Sequence, residues 1–190
     1  MGVYKYLRQA WQKPSADVKL IWRHRLIAWR RDPSCLKIEH PTRLDKAKAL
    51  GYKAKQGFFI VRQRVLRGGH QRSLTGMGAR KSGNQRAYLN LRKNYQWIAE
   101  ERASKDFPNC EVLNSYYAAE DGKHYWYEII MVDRSHPVVV NDKSIAWINS
   151  RSQKGRTSRG LTSAGRRARG LLWKGKGSEK TRPSRASQTK

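Results

Sequence analysis

Between Lys46 and Ala99 the chain runs for 54 residues with 13 lysines and arginines and no aspartate or glutamate. A solvated face normally mixes charges of both signs, so an acid-free stretch of this length reads as a surface turned toward a polyanion. The rest of the charge is just as uneven. Residues 1–45 hold 10 basic and 4 acidic side chains, residues 100–142 hold 4 and 9, and residues 151–190 hold 13 and 1. Over all 190 residues the formal charge is +27. So much like charge repels itself in a compact state, and a polyanionic partner relieves the repulsion. Nucleic acid is the first such partner to consider, an anionic membrane surface the second. The net acidic segment 100–142 is expected to form the solvent-facing part of a folded body, with the basic segments on either side facing the partner.

The hydrophobic fraction of 38% with only three phenylalanines falls below that of an ordinary globular domain, which suggests a small body with arms that pack on something else. Cys35 and Cys110 stand apart, with no Cys-x-x-Cys or histidine-rich neighbourhood, and read as reduced thiols and not as a disulfide or zinc framework. The longest apolar runs are four residues, at 58–61 and 129–132, too short to span a bilayer. The N-terminal residues lack the apolar stretch of a signal peptide, and Tyr6 stands where a myristoylation motif needs Ser or Thr.

Periodicity places the elements. Val18, Trp22, Leu26 and Trp29 recur at helical spacing between Pro14-Ser15 and Asp32-Pro33, and a second short helix is expected over 42–50 before Gly51. Trp11, Trp22 and Trp29 are expected to pack the helices on the body or on each other, with base stacking as the alternative. From Gly57 the period becomes two. Phe59, Val61 and Val65 point one way and Arg62 and Arg64 the other, a half-buried strand with a basic outer face that ends at Gly68-Gly69. Residues 73–83 read as an irregular basic loop and 84–104 as a helix with Tyr88, Leu91, Tyr95, Ile98 and Arg102 on one stripe. Strands over 111–119 and 124–133 flank Asp121-Gly122, a strong hairpin signal, and 142–150 reads as a short closing helix. The order β, α, β, β predicts an α+β fold: a small, mainly antiparallel sheet with packed helices. The chain divides into an N-terminal helical arm (1–50), an α+β body with a basic strand and loop (51–150), and an extended Gly/Arg/Lys-rich tail (151–190). Such a tail buries too little to offset its ordering entropy alone, whereas glycine and arginine suit close approach to phosphates.

Catalytic chemistry finds little support. Gly160 to Gly165 has the glycine spacing of a nucleotide-binding loop, but Arg166-Arg167 stands where Lys-Ser/Thr is required and no buried strand precedes it. Those residues read better as an anion nest, Thr162, Ser163 and backbone amides meeting phosphate oxygens while Arg166, Arg167 and Arg169 add charge. The five histidines are scattered, and the basic stretch offers no carboxylate for a two-metal nuclease. Glu100-Glu101 with Asp133 could converge, but adjacent helix carboxylates usually meet solvent or a neighbour such as Arg102. His136-Pro137 reads as a strand exit. An RNA-processing enzyme and a DNA-compacting architectural protein are the rival readings.

Specific strings decide between them. Pro41-Thr42-Arg43-Leu44-Asp45-Lys46-Ala47, Gly51-Tyr52-Lys53-Ala54-Lys55-Gln56-Gly57, Ala99-Glu100-Glu101-Arg102-Ala103, Val112-Leu113-Asn114-Ser115-Tyr116 and the run from Arg159 to Arg167 closely resemble the family of the protein numbered fifteen of the archaeal and eukaryotic large ribosomal subunit. The bacterial protein of that number is a different one. The resemblance covers the chain in order, from the first six residues to the close at 175–184, which looks archaeal. No family string falls in 18–38 or 73–84, where assignments rest on charge alone. The resemblance implies a cytoplasmic, non-enzymatic component of the large subunit that binds its ribosomal RNA, with extensions buried among RNA helices and neighbouring proteins. It implies no cofactor and no homo-oligomer, and any Mg²⁺ would belong to the RNA. RNA contact is assigned to Tyr4, Lys5, Arg8, Arg43 and Lys46 in the arm. In the body it is assigned to Lys53, Lys55, Gln56, Arg62, Arg64, Arg67, Arg72, Arg80, Lys81, Arg86, Arg92 and Lys93. In the tail it is assigned to Arg156, Arg159, Thr162, Ser163, Arg166, Arg167, Arg169, Lys174, Lys176, Lys180 and Arg182.

Overall fold

A computed structural model describes residues 2–71, 88–89 and 91–172. Its centre is a four-stranded antiparallel sheet in the order β1 (Cys35–Ile38), β2 (Phe58–Leu66), β6 (His124–Asp133), β5 (Cys110–Glu120). β2 pairs with β6 from Phe58↔Val132 to Leu66↔His124, and β5 closes on β6 through the hairpin turn at Asp121-Gly122. That turn is held by the Asp121 carboxylate, which accepts from the Lys123 and His124 amides at 2.7 and 2.6 Å. A two-residue ladder, β3 (His70–Gln71) with β4 (Tyr88–Leu89), stands apart. The helices are α1 (Val3–Gln12), α2 (Ala16–Arg31), α3 (Leu44–Ala49), α4 (Tyr95–Asp106), α5 (Pro137–Val140) and α6 (Ser163–Ala168), with short 3-10 turns over Ala146–Asn149 and Arg151–Gln153. The α+β reading holds. No helix among the described residues is long and apolar enough to cross a membrane.

The sheet is covered on both faces. Val61, Val65, Val112, Ile129 and Met131 pack under Ala99 and Ala103 of α4. Phe58, Ile60, Ile130 and Val132 pack on the other face with Ala47 of α3 and with Val139, Ile145 and Ile148 of the stretch after β6. At one end Trp29 of α2 meets Trp126 and Ala118. β2 is therefore buried on both sides over Phe58–Val61, which corrects the expectation of a half-buried strand there, while Arg62, Arg64 and Leu66 keep a partly exposed outer face as expected. The residues that predict alternation were read by parity correctly, since Val61 and Val65 share a face that Arg62 does not. What the pattern missed is that a central strand between two layers reads as a nearly continuous apolar run, and Trp126–Val132 in β6 is buried throughout. Gly57, at φ +85°, starts β2 where a Cβ would come within 2.6 Å of Val139 Cγ2, so only glycine fits this entry.

Other elements differ from expectation: β1 was not foreseen, and the closing helix expected over 142–150 is a 3-10 turn at Ala146–Asn149. The helix expected over 84–104 begins at Tyr95. Tyr88–Leu89 is a strand, 84–87 lies outside the described residues, Arg92 takes φ +52°, and Asn94 caps the helix by accepting from the Trp97 amide at 2.7 Å. Left-handed backbone at Arg92 cannot continue a right-handed helix, and the Asn side chain satisfies an amide that would otherwise be unpaired. His136 likewise caps the single turn of α5 instead of merely leaving the strand. Cys35 and Cys110 are free thiols on opposite edges of the sheet, pushed up by burial to about 12 and about 11.

The first part of the tail is not extended. Thr157, Thr162 and Ala164 are buried, and residues 155–168 lie against α4 and β5. The physical reason is a set of polar anchors that composition does not reveal. Glu111 accepts from the Gly155 amide at 2.8 Å, Trp97 Nε1 donates to the Thr157 carbonyl at 2.6 Å, and Asn94 Nδ2 donates to the Ala164 carbonyl at 3.0 Å.

Candidate nucleic-acid interface

The fold takes up its own acids. Glu100 and Glu128 are wholly buried and Asp45 and Glu111 nearly so, although segment 100–142 was expected to present its carboxylates to solvent. Glu100 collects two hydroxyls. Ser115 Oγ donates to one oxygen and Thr162 Oγ1 to the other, while those hydroxyls accept from Gln96 Nε2 and the Gly165 amide. Burial pushes the Glu100 carboxyl up to about 7 against the opposing pull of both hydroxyls and of Arg156. The expectation that Glu100 meets solvent or Arg102 is thereby corrected; its neighbour Glu101 pairs with Lys93 at 2.8 Å. Glu128 accepts from Tyr116 OH at 2.6 Å and from the Thr42 amide at 3.0 Å, and burial together with Glu128 drives the Tyr116 phenol upward. Burial works to raise the Asp121 carboxyl, but Arg30 at 2.9 Å and the two turn amides prevail and hold it down to about 2. Asp32 and Asp142 are bound to Arg62 and Lys53, each at 2.6 Å.

The assigned basic residues fall into two groups. Several are built into the body. Arg62 lies 4.3 Å over the Trp29 ring in addition to its Asp32 pair, and Arg43 lies 4.5 Å over Trp11 while reaching Asp45. Arg64 donates to the Arg30 carbonyl, Arg67 to that of Asp121, and Arg156, itself buried, to those of Val112 and Leu113. Arg169 donates to the carbonyls of Arg159 and Gly160, and Arg159 to those of Ser152 and Lys154. Lys53 and Lys55 share Asp142 at 2.6 and 3.8 Å. Thr162 caps α6 and is fully buried, so its hydroxyl points into the body and not toward an external anion.

The second group is exposed: Tyr4, Lys5 and Arg8 on α1, Lys46 on α3, Gln56, Arg92, and Ser163, Arg166 and Arg167 at α6. The bond from Asn94 to Ala164 and that from Trp97 to Thr157 bring the Arg92-Lys93 loop beside the segment carrying Arg159, Arg166 and Arg167. Two basic stretches more than 60 residues apart in sequence are thus brought side by side. Arg166 and Arg167 form no ion pair with a described carboxylate. Arg72, Arg80, Lys81, Arg86, Lys174, Lys176, Lys180 and Arg182 lie outside the described residues. Among the described residues, no three His, Cys, Asp or Glu side chains come together as a metal ion would require.

A body that keeps most of its described carboxylates to itself and exposes Arg166 and Arg167 describes many polyanion binders, and the comparisons with known proteins identify a family. The profile of the family described as Ribosomal L15 matches residues 2–188. A large ribosomal subunit protein eL15 of the archaeon Methanocella arvoryzae is 50% identical over 185 residues, covering 96% of this chain and 94% of its own. The chain belongs to the Ribosomal L15 family. This is a family of ribosomal structural proteins and not of enzymes, as the strings quoted above implied. In this member of the family, sequence reasoning missed the anchors that fold the tail, Asn94, Trp97 and Glu111. The one legible signal was the Asn-x-x-Trp spacing of a helix cap. It also left out Lys19, Arg23, Arg25 and Arg31, which α2 exposes.

Proposed function

We propose that the protein works in the cytoplasmic large ribosomal subunit by clamping large-subunit ribosomal RNA, with neighbouring ribosomal proteins as its other partners. The observation that carries this reading is the disposition of charge. Most of its described carboxylates, Asp32, Asp45, Glu100, Glu101, Glu111, Asp121, Glu128 and Asp142 among them, are buried or bonded within the fold, while Arg166 and Arg167 are exposed and pair with no described carboxylate, placed with the arm to neutralise phosphates. The sheet and α4 act as a rigid mount. The arginines bound to backbone carbonyls at 155–169 fix the backbone that carries Arg166 and Arg167. Contacts of this kind position RNA by backbone and shape and imply no reading of base sequence.

The test is the salt dependence of binding to large-subunit RNA. Each neutralised phosphate adds roughly 0.7 to 0.9 to the log–log slope, so the slope is expected to be steep. Replacing Arg166 and Arg167 by Glu is expected to flatten it. The same charge change at Lys105 and Lys123, in the acidic segment, is expected to affect it much less. A slope near zero, or equal effects of the two pairs, would overturn the proposal.

A further inference from the structure

Between the arm and the sheet edge lies a groove that the phosphate contacts leave unused. Trp11 of α1, Trp22, Arg25 and Trp29 of α2, Arg43 ahead of α3, and the β5 residues from Tyr117 to Glu120 line a cavity of about 230 Å³. Its walls are aromatic. Trp11 and Trp22 stack with ring centres 4.6 Å apart, Arg43 braces Trp11, and Arg62 braces Trp29. These braces fix the planes in place before any ligand arrives. β5 is an edge strand, and its register against β6 shifts between Tyr117 and Ala119, within the groove wall. A bulge at a sheet edge commonly re-aims side chains at a binding site.

Size, chemistry and charge agree on one occupant. The cavity is smaller than the roughly 300–1,000 Å³ of drug-sized pockets, which suits a single planar group. Aromatic planes with guanidinium at the rim are the surface on which unstacked bases of single-stranded RNA settle. Arg25 is exposed and has no ion pair with a described carboxylate, so it is placed to meet the phosphate that such a base carries. Glu120, also exposed, offers an acceptor for an exocyclic amine. We propose that this groove holds one unstacked nucleobase of the RNA, its ring against Trp22 and its phosphate at Arg25. The inference rests on the RNA-binding reading and adds a defined base site to it.

The experiment compares, with the full chain at one fixed salt concentration, the affinity for a four-nucleotide adenosine RNA with that for the same ribose-phosphate backbone lacking bases. The RNA with bases is expected to bind at least about fivefold tighter. Trp22→Leu, which keeps an apolar side chain and removes the ring, is expected to bring the ratio near one. Trp147→Leu, at an exposed tryptophan outside the groove, is expected to leave it unchanged. Equal affinities for the two probes overturn the base site while leaving RNA binding intact; failure of both probes to bind overturns RNA binding itself. A ratio that survives Trp22→Leu, or is lost in Trp147→Leu, puts the base elsewhere and leaves the groove to a protein side chain. Because loss of Trp22 could loosen the arm, photo-cross-linking of a 4-thiouridine RNA to the unaltered chain supplies a second readout. The cross-linked peptide is expected to contain Trp22, and a cross-link found only outside the arm overturns the proposal.

Discussion

Glu100 carries the largest consequence at the scale of single residues. Its carboxyl is raised from 4.5 to about 7, chiefly by burial. Between those values the folded protein holds the proton more tightly than the unfolded chain does. Stability from this group is therefore full below pH 4.5 and declines as pH rises through 7. A shift of this size corresponds to on the order of 3 kcal/mol. Glu100→Gln imitates the protonated acid, so its urea midpoint is expected to lose the decline between pH 5 and 7 that the unaltered chain shows. Parallel pH profiles for the two proteins would show that Glu100 does not titrate in that window. The burial of Glu100 was not legible in the sequence, because adjacent carboxylates on a helix look solvated until Ser115 and Thr162, from two other elements, are seen to converge on one of them.

At the scale of elements, α4 serves two purposes at its first turn. Asn94 caps the helix with its oxygen and holds the tail with its amide nitrogen. Asn94→Ala is expected to cost about 1–3 kcal/mol, the lost cap adding to the unpaired Ala164 carbonyl. Asn94→Ser restores a cap acceptor but not the tail bond. Limited proteolysis within 155–172 is then expected to accelerate in both variants, with helix stability recovered only in the serine one. The seat of α6 is equally close. A Cβ on Gly165 would fall 2.5 Å from Gly160 Cα, backbone that cannot swing aside, so Gly165→Ala is expected to lower stability by about 1–3 kcal/mol through overpacking. An unchanged denaturation midpoint would mean that α6 sits loosely on the Gly160 turn. The hairpin and the arm helix were readable in advance because their signals are local: Asp-Gly at the turn, and Ser15 and Asp32-Pro33 at the helix ends. The start of α4 was misread because apolar spacing from Tyr88 onward mimics a helix that Arg92 interrupts.

For the whole molecule, the prediction concerns how firmly the chain is held. If the basic arm and tail are held among RNA helices as proposed, the protein is expected to sediment with the large subunit through a sucrose gradient and to remain there after a high-salt wash that strips surface proteins. Release by mild salt would mean that it sits on the subunit surface. The candidate interface was half legible. The acid-free stretch pointed to a polyanion, and Arg166 and Arg167 are exposed as a binding role needs. Charge alone could not separate them from Arg62 and Arg156, which the fold holds on Trp29, Asp32 and backbone carbonyls.

From sequence alone, the sign of the net charge, the α+β class, the Asp121-Gly122 hairpin, the ends of the arm helix α2, and the family resemblance were determined. Each of these is a property of composition, of short-range spacing or of contiguous strings. Tertiary structure alone decided which charges face outward, that β6 is buried on both faces along Trp126–Val132, and that residues 155–168 fold against α4 and β5. The reason in each case is that burial and ion pairing depend on residues far apart in the chain: Glu100 with Thr162, Asp32 with Arg62, Asn94 with Ala164. A buried acid and a solvated one share a local pattern, and only the neighbours that enclose them tell them apart.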